Sequence, residues 1–487
     1  MSPSLIFVTF LLYTVFLFFI TWLTSRKSTN RTFFIGNKAS PWFVVAYGMI
    51  GASMSGVTFM SVPGWVGQTQ FSYLMVVMGY LFGYFTIANV LLPLYYRLNL
   101  TSIYSYLEGR FGFWSYKTGA FYFILSRVIG ASFRMFLVVN VLQVFVFDAW
   151  HIPFSITVLI FIILILAYTF KGGIKTIIWT DTVQTTFMLL AVIFSIWFIT
   201  MHLGTTFTAL IRDVFHSSYS KIIYSDWHDK RFFLKQLLSG AFIAIVMTGL
   251  DQEMMQKNLS CRSLKDAQKN MFTFSFIMLF VNFMILFLGA ILFIFAVKTG
   301  IKMPMRSDDI FPMIAINYLG PVAGLIFMIG LISAAYPSAD GALTSLTTSF
   351  SIDFLGMNKN EKLAEKQKIR IRYMVHAGFA FLLFFVIILF RIINDRAVIE
   401  KLFTIAGYTY GPLLGLFAFG LFTNYKVKDS WVPVIAIISP MLCYFLSHYS
   451  EVWLSGYKFG FELLIVNGIF TFAGLMILRL PNIPENK

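Results

Sequence analysis

Gly51-Ala52-Ser53-Met54-Ser55-Gly56 sits in the middle of an apolar stretch that runs from 42 to 65 and includes Pro63-Gly64. A helix needs about 20 apolar residues to cross a bilayer. Small residues inside such a helix mark either the close approach of a neighbour or a place where the helix unwinds. Unwound backbone at membrane depth survives only where it is buried in protein or lines a cavity. A second apolar stretch, 234–256, carries Ser239-Gly240 and Thr248-Gly249 and comes five spans later. Because five is odd, consecutive five-span units face opposite ways, the arrangement of an inverted repeat over spans 2–6 and 7–11. The glycines alone leave close helix packing open as the alternative.

Working outward, the same length criterion finds thirteen spans, near 4–24, 42–65, 71–96, 118–147, 152–170, 176–203, 234–256, 270–298, 319–349, 373–393, 399–424, 431–449 and 459–479. Composition agrees. Of 487 residues, 58% are hydrophobic and only 12% charged, with a mean hydropathy of +0.79, against about 25% charged residues in a soluble domain. A soluble enzyme is excluded, and the chain reads as a single all-α polytopic membrane unit over 1–487. The first span lacks a basic flank before it and an A-x-A-like site after it, and Arg26 and Lys27 follow, so it is expected to stay as a helix rather than be cleaved.

The net charge of +16 comes from cations in short loops, a pattern of membrane orientation rather than of nucleic-acid binding. Loops assigned to the cytoplasm hold 23 Lys and Arg, outer loops 12, five of these in 204–235. The N-terminus is therefore expected outside and the C-terminus in the cytoplasm of a cell (inner) membrane. Cys261 and Cys443 form neither a disulfide framework nor a metal knuckle, and the six histidines are scattered. Asn258-Leu259-Ser260 matches a glycosylation sequon but falls in a loop assigned to the cytoplasm. No phosphate loop, nucleophile elbow or paired metal-ligand motif is present, so no enzyme is indicated, and no obligate protein partner.

Few charges fall inside spans, where each costs about 2.5–3.5 kcal/mol on insertion scales and needs a partner or a wet cavity. The ninth span reads Ser333-Ala334-Ala335-Tyr336-Pro337-Ser338-Ala339-Asp340-Gly341. Pro337 cannot donate to the Ser333 carbonyl. That freed carbonyl, the Ser338 hydroxyl and the Asp340 carboxylate are hard oxygen ligands suited to a small alkali or alkaline-earth cation; the competing reading is a proline kink with serine bonding back to the backbone. Asp181 lies early in the sixth span, after Gly172-Gly173, and either pairs with a base such as Lys175 or Arg127 or shares a cation or proton with Asp340. Arg127 and Arg134 lie two turns apart in the fourth span. Arg134, nearer mid-membrane, either holds a substrate carboxylate or pairs with a protein acid.

Several stretches together resemble the sodium:solute symporter family: Tyr106-Leu107-Glu108-Gly109-Arg110-Phe111-Gly112, then Gly172-Gly173 leading to Thr180-Asp181-Thr182-Val183-Gln184, then Asp251-Gln252 with Gln256-Lys257, and the segment from Ser333 to Asp353. The likeness spans roughly 40–425 in the family's order. It implies a LeuT-type 5+5 inverted repeat, with the extra N-terminal helix at 4–24, a first repeat over 42–203, a second over 234–424 and C-terminal helices over 431–479. It implies a main sodium site of backbone carbonyls at Gly51, Met54 and Ala334 with the hydroxyl of Ser338. Pro337 stands where the family usually has a second hydroxyl residue, so one ligand is lost. Asp181 matches the aspartate of a deeper second site, and Asp340 takes a position often held by serine, which makes the pair a candidate second cation or proton site. Ser53 replaces the usual Asp or Asn of the broken helix. Sialic acid symporters of the family carry a carboxylate-binding arginine that falls at Arg134 here, with Ser55 and Thr58 lining the same pocket. The expected function is sodium-coupled import of a small organic solute, with a proton-coupled or uncoupled transporter as the alternative. A transporter-like sensor is not expected, because the chain stops eight residues after Arg479.

Overall fold

The computed structural model describes residues 2–24, 33–34, 36–359, 362–393 and 398–480; Arg26 and Lys27 lie outside them. Every regular element among the described residues is helical, and the extended contacts are two isolated bridges, Ser40 with Cys261 and Val427 with Arg479. Among the described residues, nine helices are long and apolar enough to cross a membrane: α1 (Pro3–Thr24), α4 (Tyr73–Arg97), α5 (Phe113–Trp150), α7 (Gly173–His202), α10 (Leu264–Thr299), α11 (Pro321–Phe354), α12 (Glu365–Ile392), α13 (Val398–Phe422) and α14 (Asp429–His448). Two bent pairs bring the number to eleven: α2 (Trp42–Ser53) with α3 (Gly56–Thr69), bent by 56°, and α8 (Phe233–Gly249) with α9 (Gln252–Leu259), bent by 66°. At the two remaining expected spans stand shorter apolar helices, α6 (Phe154–Phe170) and α15 (Leu463–Ile477). Thirteen is therefore not reached by length alone.

The centre of the bundle is α11, in which every residue from Gly330 to Ser349 is buried, as expected of a helix apolar or small on all faces. It packs against α2, α3, α5, α7 and α12. The N-terminal helix α1 is tied to it by polar bonds, Ser333 donating to Tyr13 at 2.7 Å and Thr14 bonding the Tyr336 hydroxyl at 2.9 Å.

Of the glycines in the second and seventh spans, Gly240 follows the packing reading, and Gly173, outside them, serves the backbone. Gly240 is a packing residue: a Cβ there would collide with the Val76 carbonyl, and one on Gly79 with the Leu237 carbonyl, so α4 and α8 touch backbone to backbone. Gly173 is conformational. It turns the chain from α6 into α7 with φ 60° and ψ −165°, a region essentially restricted to glycine, and a Cβ there would also run into the main chain of Phe33. Gly173→Ala is expected to lower stability by at least about 1–3 kcal/mol, read as a fall in thermal midpoint in detergent. Gly204→Ala, at φ 60° with open space around it, should cost less, and the difference between the two measures the collision.

Candidate functional site

The two bends are built differently. In the second span the helical ladder stops where the Met54 N–H donates to the Ile50 carbonyl (2.7 Å) and restarts where Phe59 donates to Ser55 (3.0 Å). The carbonyls of Gly51 through Met54 and the amides of Gly56 through Thr58 are left without ladder partners. A helix C-terminus rich in free carbonyls thus abuts a helix N-terminus rich in free N–H groups, offering a place for a cation beside a place for an anion. In the seventh span a wide turn, Leu250 N–H to Ile245 carbonyl at 3.0 Å, precedes the bend. Asp251 then caps α9, its carboxylate accepting from the amides of Glu253 (3.0 Å) and Met254 (3.2 Å) and from the Tyr410 hydroxyl (2.8 Å).

A cavity of about 70 Å³ opens against the first bend. Ser53, Ser55, Thr58 and Arg134 all line it, so the four residues expected to bind substrate are brought together. Met54 is there too, with Thr248, Asn282 and the rings of Tyr73, Tyr80 and Tyr84. Arg134 is 9% exposed, and among the described residues it makes no hydrogen bond or ion pair; its Nε has no partner. Arg127, which also borders the cavity, is committed elsewhere: it pairs with Glu253 and lies 3.8 Å from Asp251. Of the two readings open for Arg134, pairing with a protein acid is the one the geometry does not show.

Beyond the cavity, toward the C-terminal end of α3, lies a wider space of about 630 Å³ bordered by the 226–231 and 456–463 segments. Four rings stand between the two. Trp65 and Phe461 face the wide space, Tyr73 and Phe403 the inner cavity, with centroids 4.9 Å apart for Phe403 and Phe461 and 5.9 Å for Trp65 and Tyr73. On the rim, Asp229 is held below the usual carboxylate range by hydrogen bonds from Arg231.

Ser338 and Ala334 lie on the face of α11 that is buried throughout, and α11 packs against both halves of the broken helix. The Ser338 hydroxyl has no partner. Its neighbours Ser345, Thr347 and Thr348 all bond back to a carbonyl three or four residues earlier, so the back-bonding read for a serine beside Pro337 is absent at Ser338. Where the broken helix meets α7, a Cβ on Gly51 would meet the Thr185 hydroxyl, which is also buried and unbonded, as is the amide of Gln184. Buried polar atoms without partners are rare and call for an occupant. Carbonyl and hydroxyl oxygens with no nitrogen or sulfur among them are a donor set for a hard cation.

Of the two readings open for Asp181, the structure shows the pairing with a base, through a different partner. Asp181 pairs neither with Lys175 nor with Arg127 but with Lys257, Nζ to Oδ2 at 2.7 Å. Lys257 had been counted among the loop cations that set orientation; instead it lies on α9, 1% exposed, and also reaches Glu253 at 3.3 Å. Asn258 is corrected likewise: it is on α9 rather than in a loop, fully buried, and accepts from Asn270 at 2.7 Å. Asp340 accepts from the Tyr168 hydroxyl at 2.5 Å and keeps one oxygen free. Glu253, Lys257 and Tyr168 were missed as site residues. The i, i+4 spacing of Glu253 and Lys257 was the available signal.

The profile of the sodium:solute symporter family matches residues 33–428. The chain belongs to that family. It is thus a multi-pass membrane transporter rather than an enzyme, a symporter of a small solute with sodium as its coupling ion. Among family members, the sodium/sialic acid symporter NanT of Aliivibrio fischeri is 25% identical over 437 residues, covering 86% of this chain and 82% of its own. The human sodium-coupled monocarboxylate transporter 2 is 24% identical over 454 residues, covering 85% and 69%. A solved Na+-coupled sialic acid symporter, substrate-bound and outward-open, superposes with a TM-score of 0.83 over 97% of both chains at 18% identity, a likeness of fold.

Tyr410 ties α13 to the capping carboxylate of the second bend. Tyr410→Phe is expected to cost about 1.5–3 kcal/mol, the range for a hydrogen bond to a charged group. Thermal unfolding of the purified variant checks it, and an unchanged midpoint would remove the bond from the account of the bend.

Proposed function

We propose that this symporter imports a small solute bearing a carboxylate, and that Arg134 is the group that holds it. The observation that carries the reading is the buried guanidinium of Arg134, facing the cavity with no acid of the protein bound to it. An unpaired buried charge is costly, and a planar five-donor fork is matched by a carboxylate. Ser53, Ser55 and Thr58 supply hydroxyls around it, and the free amides at the start of α3 add positive potential. The sialic acid and monocarboxylate cargoes named for the relatives above are both carboxylates, which supports the class without choosing a member.

Sodium would sit where the freed carbonyls of Gly51 and Met54 meet Ala334 and Ser338 on α11. Bound there it joins the broken helix to the central one and favours the conformation in which they are packed; coupling requires that preference, since a ligand that binds both conformations equally shifts nothing. Asp181 and Asp340 form the deeper charge site. The wide cavity beyond the four rings is then the outer vestibule, with the N-terminus outside and the C-terminus in the cytoplasm of a cell membrane. The paired bends five spans apart support an inverted repeat over 42–203 and 234–424.

Arg134→Gln should abolish solute binding and uptake, and Arg134→Lys should weaken binding at least about tenfold, because the bidentate fork is lost while the charge stays. A thermal-shift screen against carboxylates and neutral solutes in sodium reads this directly; stabilisation by neutral solutes alone would overturn the role of Arg134. Ser338→Ala should raise the sodium concentration for half-maximal uptake about tenfold or more, the loss of one ligand at about 1.4 kcal/mol. Unchanged sodium dependence would move the sodium site elsewhere.

A further inference from the structure

The cavity beside the first bend has a polar corner and an apolar remainder. Arg134 lies at the corner with Ser55 and Thr58. A Cβ on Gly56 would collide with Val138 and lie close to the Arg134 carbonyl, so the free amides at the start of α3 stand against the same stretch of α5. Elsewhere the wall is Ile243, Ala244 and Met247 from α8, Met278 from α10, and Leu402 and Phe403 from α13. The polar groups set among these are already engaged. Tyr73 and Tyr80 bond each other at 3.0 Å, Tyr84 reaches Ser53 and Thr248, and the Asn282 amide donates to the Met278 carbonyl at 2.8 Å. Among the described residues, no carboxylate, glutamine, histidine or lysine lines the cavity.

Resting on the reading that Arg134 holds the solute's carboxylate, we propose that the solute is a short monocarboxylate with an apolar body, and that this wall turns away polyhydroxylated acids. One carboxylate satisfies Arg134 and the free amides. A second ionised group would find no free cation, since Arg127 is paired with Glu253, and a buried charge without a partner is costly. Each hydroxyl on the body would leave water for a wall whose polar groups are already bonded, which weakens binding at least about fivefold. Each methylene there instead gains about fourfold. Space bounds the length: the cavity's volume of about 70 Å³ is under half of the roughly 150 Å³ that takes up a benzene. Met247 and Met278, unbranched and polarizable, can follow bodies of differing shape.

Thermal shift and radiolabelled uptake by the full-length protein in sodium test this with acids of one carbon skeleton. Butyrate is expected to stabilise the protein and to be taken up. Erythronate, its trihydroxylated four-carbon counterpart, should bind about a hundredfold more weakly, about fivefold for each hydroxyl, and glucuronate and succinate no better. From acetate to butyrate the affinity should rise about fourfold per methylene, and by octanoate it should fall again. Erythronate or glucuronate binding as tightly as butyrate overturns the inference and leaves the role of Arg134 standing. Butyramide binding as tightly as butyrate, or no carboxylate binding at all, overturns the reading of Arg134 and the inference with it. Met247→Ser should narrow the preference for butyrate over erythronate at least about fivefold; an unchanged preference overturns the apolar wall as its source. If that variant does not fold, the wild-type series decides alone.

Discussion

A main-chain carbonyl or amide set free inside a bilayer has no water to bond, and the protein answers that constraint in opposite ways at its two bends. At Leu250–Asp251 the answer is internal: the Asp251 carboxylate takes two amides of α9 and the Tyr410 hydroxyl, and the bend is closed. At Gly51–Ser55 no side chain steps in, Ser55 makes no capping bond, and the freed groups border a cavity. The bends of the second and seventh spans are thus unequal in chemistry. One is a joint, the other a socket, and the cavity between them is lined by Ser53, Ser55 and Thr58 of the socket and by Thr248 and Met254 beside the joint.

The buried charges follow the same division. Arg127, Lys257, Asp251, Glu253 and Asp181 form ion pairs with one another across α5, α7 and α9. Removing one partner from such a pair typically costs about 3–5 kcal/mol, because its mate is left charged and dry. Arg134 stands outside this arrangement two turns from Arg127 on the same helix. Arg127 is paired with acids of the seventh span, whereas Arg134 makes no ion pair among the described residues.

Much of this was legible in the sequence, and the exceptions have physical causes. Apolar stretches of spanning length and the small residues of the second span located the bends, because hydropathy and glycine placement are local properties. Arg134, Asp181 and Asp340 stood out because a charge inside an apolar run is conspicuous. Lys257 did not. It sits just past the expected end of the seventh span at 256, on the polar helix Gln252–Leu259, where the sequence reads as the start of a loop, yet the bundle buries it; burial among neighbours leaves no trace in the segment's own hydropathy. Its partner Asp181 is 76 residues away, and no spacing rule reaches that far. The four-ring barrier was equally hidden, since Trp65, Tyr73, Phe403 and Phe461 are ordinary aromatic residues in a chain with 90 of them, and only the fold sets them between two cavities.

The contact between α4 and α8 bears on what can move. Gly79 and Gly240 bring main chain against main chain, with no side chain between them to rotate aside. Side-chain interfaces can slide by exchanging rotamers, but at these two points there is no side chain to exchange. The third and seventh spans are therefore mechanically a single strut, and α8 carries the closed joint at its lower end. Any rearrangement that exposes the cavity to one side and then the other must swing this strut as a whole past its surroundings, which leaves the open socket of the second span as the compliant element.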